Sequence, residues 1–128
     1  VIGVQKDPVA FTRYDNGALS EKPLFILPED PAMPTTYNLY MGGDFGETVL
    51  ETDRPELPDV LIFGDSFTNA LETLLYASFD ETHILDLRYY TDKSLKDYIS
   101  DYQPDIVLCV QNDTFYYSTT GNGNVWEN

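Results

Sequence analysis

The chain has 128 residues with one cysteine and one histidine. A single thiol, Cys109, excludes an intramolecular disulfide. Its place in the apolar run Ile106–Val110 points to a buried, unreactive side chain. Basic residues are also scarce: 7 Lys and Arg stand against 22 Asp and Glu, a net charge of −15. Neutralising phosphates takes clustered Lys and Arg, so this balance argues against a nucleic-acid partner, and equally against anionic membrane surfaces. No apolar run approaches the roughly 18 residues of a membrane helix. Val1 opens without the basic-then-apolar pattern of a signal peptide. No membrane insertion by this chain is expected. No spaced Asp-x-Asp-x-Asp loop occurs, so no metal and no cofactor are expected.

Hydrophobic content of 42% in a chain of this length fits one domain with one core. Its organising stretch is Asp59-Val-Leu-Ile-Phe-Gly-Asp-Ser-Phe-Thr-Asn-Ala70. The apolar run Val60–Phe63 reads as a buried strand. It stops at Gly64-Asp65-Ser66, and a helical pattern follows with Leu71, Leu74 and Leu75 on one face. His83–Leu87 reads as the next strand. A second helix is expected after Ser94, an N-cap with Asp97 three residues on, burying Leu95, Tyr98, Ile99 and Tyr102. Ile106–Val110 is the third strand, and its apolar run suits a strand covered on both faces. The pattern is β-α-β-α-β, an α/β fold with a small parallel sheet in three layers and right-handed crossovers.

Upstream, the alternation in Thr36–Met41 and in Glu47–Thr52, around Gly42-Gly43-Asp44-Phe45-Gly46, reads as a β-hairpin. Residues 1–35 carry Pro8, Pro23, Pro28, Pro31 and Pro34 and read as an irregular segment. Within it, Asp15-Asn16-Gly17 is a turn signal and Leu24–Leu27 a candidate edge strand. The division expected is 1–35 and 36–128. The tail after Asp113, with its isolated Trp126, reads as loop and frayed terminus.

Parallel strands bring their carboxyl ends to one edge, where sites form in open α/β sheets. Here that edge gathers Gly64-Asp65-Ser66, Arg88-Tyr89-Tyr90 and Gln111-Asn112-Asp113. Ser66 is a nucleophile or the cap of the following helix. Arg88 binds a substrate carboxylate or oxyanion, or else pairs with Asp65 or Asp86. Tyr89 and Tyr90 line a pocket or pack. Asn112 supplies a carboxamide or a turn. His83 starts a strand at the opposite edge, on the order of 15 Å from Ser66. A general base must reach the proton it removes, so His83 is not catalytic. A receiver-like phosphoacceptor is disfavoured, since no acidic pair ends the first strand and no Lys follows.

Gly64-Asp65-Ser66-Phe67 resembles the nucleophile block of the SGNH, or GDSL-like, hydrolases and acyltransferases. Tyr37–Gly43, Thr48–Thr52 and Asp86-Leu-Arg-Tyr-Tyr90 are similar to the C-terminal part of the DHHW-motif branch, which includes relatives of the polysaccharide O-acetyltransferases. The resemblance spans residues 36–113. It implies an SGNH-like, flavodoxin-like sheet. It gives Ser66 the nucleophile's role, with Ser66 and Asn112 at the oxyanion, Arg88, Tyr89 and Tyr90 toward substrate, and Gly64 and Asp65 as structural neighbours. Two departures stand out. Val110-Gln111 replaces the family's Gly before Asn112, and neither a late Asp-x-x-His nor an upstream Asp-x-His is present. The implied function is a C-terminal fragment of an esterase or O-acyl-transferring domain acting on a carbohydrate or acyl ester, outside the cytoplasm or at the cell surface. Its Asp and His would come from an upstream part of the same polypeptide, leaving this chain inactive alone. The alternative is a non-catalytic glycan-binding or interaction module.

Overall fold

The computed structural model describes residues 8–121 and Val125. Strands β1 (Thr12–Asp15), β2 (Ala18–Ser20), β3 (Glu47–Glu51), β4 (Val60–Gly64), β5 (Glu81–Leu85) and β6 (Ile106–Val110) form one sheet, in the order β2-β1-β3-β5-β4-β6. β5, β4 and β6 are parallel, while β3 is antiparallel to both β1 and β5. The sheet is therefore mixed, with the expected parallel β-α-β-α-β unit at one side. Helices α1 (Thr68–Leu75) and α2 (Leu95–Tyr102) supply the crossovers.

Alternation along β4 divides the core. Val60 and Ile62 pack with Leu50, Tyr76, Phe79 and Ile84 on one face. Leu61 and Phe63 pack with Leu85, Leu87, Leu95 and Tyr98 on the other. Three layers result, with α2 over the second face. Ser94 caps α2 reciprocally: its Oγ accepts the Asp97 N–H at 3.1 Å and donates to Asp97 Oδ2 at 2.8 Å. Leu95 and Tyr98 are buried, and Ile99 and Tyr102 pack beside them, the face read from the sequence.

Four expectations need correction. The hairpin is built from β1 and β2 around Asn16-Gly17, both at positive φ, so residues 1–35 are not wholly irregular. Tyr37–Leu39 is a 3-10 turn rather than a strand, and Met41 and Gly42 take positive φ, which breaks the extended run before it can pair with β3. What survives is a short antiparallel contact, with Ile26 N–H to Leu39 O and Met41 N–H to Leu24 O, both 2.8 Å. On α1 the leucines are split, with Leu75 packed against the core and Leu71 half-buried. Thr68, Asn69, Glu72 and Thr73 are the buried residues and Leu74 is exposed. Finally, β6 is an edge strand, not a covered one, and Cys109 is exposed.

The polar N-terminal strand is held by a buried cation. The Arg13 side chain is 1% exposed; its Nε donates to Asp15 Oδ1 at 2.9 Å and its Nη2 to the Met41 carbonyl at 2.8 Å. Thr48 Oγ1 donates to the same Asp15 oxygen, so β1, β3 and the 41–43 turn share one charge-assisted network. Among the described residues no helix is long and apolar enough to cross a membrane.

Candidate functional site

β4 ends at Gly64 against the neighbouring strand. A Cβ built there would fall on the Val110 carbonyl oxygen of β6 and meet Thr68 Cγ2 at 2.8 Å, so only glycine fits. That close approach brings the ends of β4 and β6 together. Asp65, buried, fixes them with its carboxylate. Oδ1 accepts the Phe67 N–H at 2.9 Å and Oδ2 accepts the Asn112 N–H at 2.8 Å.

This arrangement bears on the capping role weighed for Ser66. The N-cap position of α1 is Phe67, without a side-chain cap bond, and the Asp65 carboxylate serves the first turn instead. Thr68 N–H donates to the Asp65 carbonyl at 2.9 Å and Asn69 N–H to the Ser66 carbonyl at 3.2 Å. Ser66 is half-buried, and its hydroxyl makes no hydrogen bond among the described residues. It is not the helix cap.

Asn112 spends its side-chain oxygen locally, accepting from the Thr114 N–H and Oγ1, both at 3.0 Å. It thereby caps the 3-10 helix Asp113–Tyr117, the turn role weighed for it, and its amide nitrogen is left as a donor.

Arg88 pairs with Asp86, its Nε 2.9 Å from Oδ1 and its Nη2 2.5 Å from Oδ2. It also reaches Asp44 Oδ2 at 3.1 Å. Hydrogen bonding to Asp86 raises its pKa further, so the guanidinium is permanently charged. Tyr89 is exposed beneath it, its ring centroid 5.1 Å from the guanidinium carbon. Tyr90 is buried and packs edge-on to Tyr98 at 5.6 Å.

Sequence reasoning passed over Asp44 and Asn69. Asn69 Nδ2 donates to Asp44 Oδ1 at 3.0 Å, so Asp44 bridges Arg88 at the end of β5 to the first turn of α1. The Asp44 position read only as a turn, and its partner lies 25 residues away. Asp44, Asn16, Phe45 and Tyr89 line an open pocket of about 360 Å³. Behind it, Asp44, Asp65, Thr68 and Glu72 line a space of about 10 Å³. Glu72 accepts from Thr68 Oγ1, and burial pushes its pKa up to about 7. Thus Asp65 joins the β4 and β6 tips, and Asp44 joins the first turn of α1 to Arg88 beyond β5.

His83 lies in mid-β5, paired in register with Leu61, five positions before Ser66. Its Nδ1 is 2.5 Å from the Tyr98 hydroxyl and its ring stacks on Tyr102 at 3.6 Å. Burial lowers its pKa to about 4. It serves the α2 interface. Among the described residues no group of three or more His, Cys, Asp or Glu is placed to hold a metal ion.

Comparison with solved structures adds a second line of argument. The chain is similar to PatB1 of Bacillus cereus. Its structure with a sulfonyl adduct superposes with a TM-score of 0.67 at 32% identity, covering 84% of this chain and 38% of PatB1. A second PatB1 structure gives 0.66 and 31%, covering 84% of this chain and 36% of that one. A DHHW family protein from Eubacterium siraeum gives 0.60 and 29%, covering 79% of this chain and 34% of its own. The chain thus spans under two-fifths of these neighbours. No family model and no curated protein matches it. The likeness to PatB1 and the DHHW protein supports the DHHW side of the resemblance.

Proposed function

We propose that these residues are the serine-bearing part of an α/β domain that moves an acyl group, acetyl in the first instance, to or from a carbohydrate hydroxyl. The general base comes from polypeptide outside the 128 residues. The observation that carries this reading is the Ser66 hydroxyl. It stands unbonded among the described residues at the end of β4, while Asp65 does the capping that a structural serine would do. In the reaction the Ser66 oxygen bonds to the acyl carbon, its proton passes to the base, and the leaving alcohol departs protonated. An acceptor hydroxyl then takes the acyl group and frees Ser66. The Asn112 side-chain amide and the Ser66 backbone N–H are the donors for the developing oxyanion. An SGNH-type ancestry and an extracytoplasmic or cell-surface location accompany this reading.

The sulfonyl adduct of PatB1 suggests the test, because sulfonyl electrophiles add to activated hydroxyls. The polypeptide as its gene encodes it should take one phenylmethylsulfonyl group on the Ser66 peptide. It should hydrolyse p-nitrophenyl acetate, and Ser66→Ala should lose both properties. The 128 residues alone lack a base and should be slower by several orders of magnitude. An enzyme-like rate from the 128 residues that Ser66→Ala abolishes would place the base inside them and overturn the reading.

The pocket beside exposed Tyr89 favours a second reading, a glycan-binding module without chemistry. Glycan binding lost in Tyr89→Ala but kept in Ser66→Ala, with no ester hydrolysis, would support it.

A further inference from the structure

The open pocket of about 360 Å³ has an aromatic wall, an acidic rim and no Lys or Arg among its lining residues. Its size falls within the range of small-ligand pockets, on the order of 300–1,000 Å³. Tyr89 supplies the wall. The Arg88 guanidinium lies over its ring, yet Tyr89 stays 57% exposed, so the ring has area left for a sugar. Asp44, Glu47 and Asp92 supply the rim. Both Asp44 oxygens are engaged, by Asn69 and Arg88, and Glu47 Oε1 accepts the Tyr98 hydroxyl at 2.7 Å. Asp92 is exposed and makes no hydrogen bond among the described residues. Asn16 Oδ1 accepts the Glu47 N–H at 3.0 Å, which leaves its amide nitrogen as a donor.

The cations bordering these residues are held by other groups. Arg88 is bound by Asp86 and Asp44, and Lys93 pairs with Asp101 at 2.7 Å. Arg13 is buried against Asp15, and Lys22 sits 4.3 Å over the Phe45 ring and lines a different pocket. We infer that the pocket beside Tyr89 is the glycan's subsite, and that it selects an uncharged sugar and refuses one carrying a carboxylate or a phosphate. The inference rests on the carbohydrate reading above, in either its catalytic or its binding form. An anionic sugar on Tyr89 would face Asp92 and Glu47 with no lining cation to pair with. Like charges placed in this way discriminate against a ligand that otherwise fits. A neutral ring lays an apolar face on Tyr89 and offers its hydroxyls to Asp92 as acceptor and to Asn16 as donor. The pocket adjoins the serine loop through Asp44, whose partner Asn69 donates its N–H to the Ser66 carbonyl. The Arg88 charge, which could have met a substrate carboxylate, is spent on holding Asp86 and Asp44.

The test is equilibrium binding to the polypeptide as its gene encodes it, by titration calorimetry, with probes matched in pairs. The pairs are methyl-esterified trigalacturonate and its free acid, mannotriose and its 6-phosphate, and cellotriose and its form ending in glucuronate. No acyl donor is present, so Ser66 chemistry plays no part; sulfonylation and ester hydrolysis read that separately. At least one neutral probe should bind, at least about tenfold tighter than its acidic twin. Tyr89→Ala should weaken that binding by about tenfold or more, and Asp92→Lys should narrow the gap to within about threefold. Glu56→Lys makes the same change of charge at an exposed position before the start of β4, and should leave the gap as it is. That control separates the pocket from the overall charge of −15. An acidic probe bound as tightly as its neutral twin overturns the inference. So does a gap that Glu56→Lys closes as far as Asp92→Lys, or no binding of any neutral probe, even where Ser66 takes the sulfonyl group.

Discussion

The Asp65 carboxylate accepts the backbone N–H of Asn112 across the β4–β6 boundary, while its other oxygen holds the N–H of Phe67. One buried side chain thereby sets the separation between the loop bearing Ser66 and the loop bearing Asn112. A serine loop can be shaped by its own turn, but its distance to a donor on another strand needs a tie of this kind.

Removing that tie should cost stability first. Asp65→Ala leaves two N–H groups without their charged acceptor, about 3 kcal/mol in all. Asp65→Asn keeps one acceptor oxygen and should lose about half as much. Urea unfolding followed by circular dichroism measures both. Equal loss in the two variants would show that the charge, not the two-sided geometry, matters.

The interior histidine predicts a pH effect. Burial holds His83 near pKa 4, against 6.5 in the unfolded chain, although Glu47 and Asp59 pull the other way. Between those values the unfolded state binds the extra proton, so stability falls as pH drops from about 6.5 to 4. The full span is about 3 kcal/mol. Near neutral pH the 3.2 Å contact from Nε2 to Glu81 Oε2 is therefore a polar contact of neutral imidazole rather than an ion pair. Urea midpoints at pH 7 and pH 4 should converge between wild type and His83→Gln as the pH falls.

What could be read from the sequence was what is encoded locally. Val60–Phe63 is apolar at every position, and Ser94 with Asp97 forms a cap within one turn, so both were legible. β1 was not, because Thr-Arg-Tyr-Asp carries no apolar alternation. Arg13 is buried there by acceptors 10 and 28 residues away. Tyr37–Met41 alternates like a strand, but its backbone leaves the extended region at Met41. The leucines of α1 misled for a different reason. Periodicity marks an apolar face without saying how much of it is covered, and here Leu75 packs against the core while Leu74 is exposed. At the site, Gly-Asp-Ser announced the serine loop, but the Asp44 bridge depends on tertiary proximity alone.

The opposite pH dependence should come from Glu72. Its carboxyl lies beneath the site, bonded to Thr68, with Asp44, Asp86 and Arg13 as charged neighbours. Burial raises its pKa from 4.5 to about 7 despite the pull of Thr68 and Arg13. Between those values the native state holds the proton. Glu72 therefore costs nothing below pH 4.5 and destabilises progressively as pH rises through 7. The sign is opposite to that of His83 over an overlapping range, so the wild-type profile should look flat while each single variant tilts it. Glu72→Gln keeps an acceptor for Thr68 and removes the charge. It should match wild type near pH 4.5 and exceed it at pH 8 by about 3 kcal/mol at most. Urea midpoints at the two pH values test this. A Glu72→Gln protein less stable than wild type at pH 8 would mean that the carboxylate is a needed partner of Arg13 rather than a buried charge the fold tolerates.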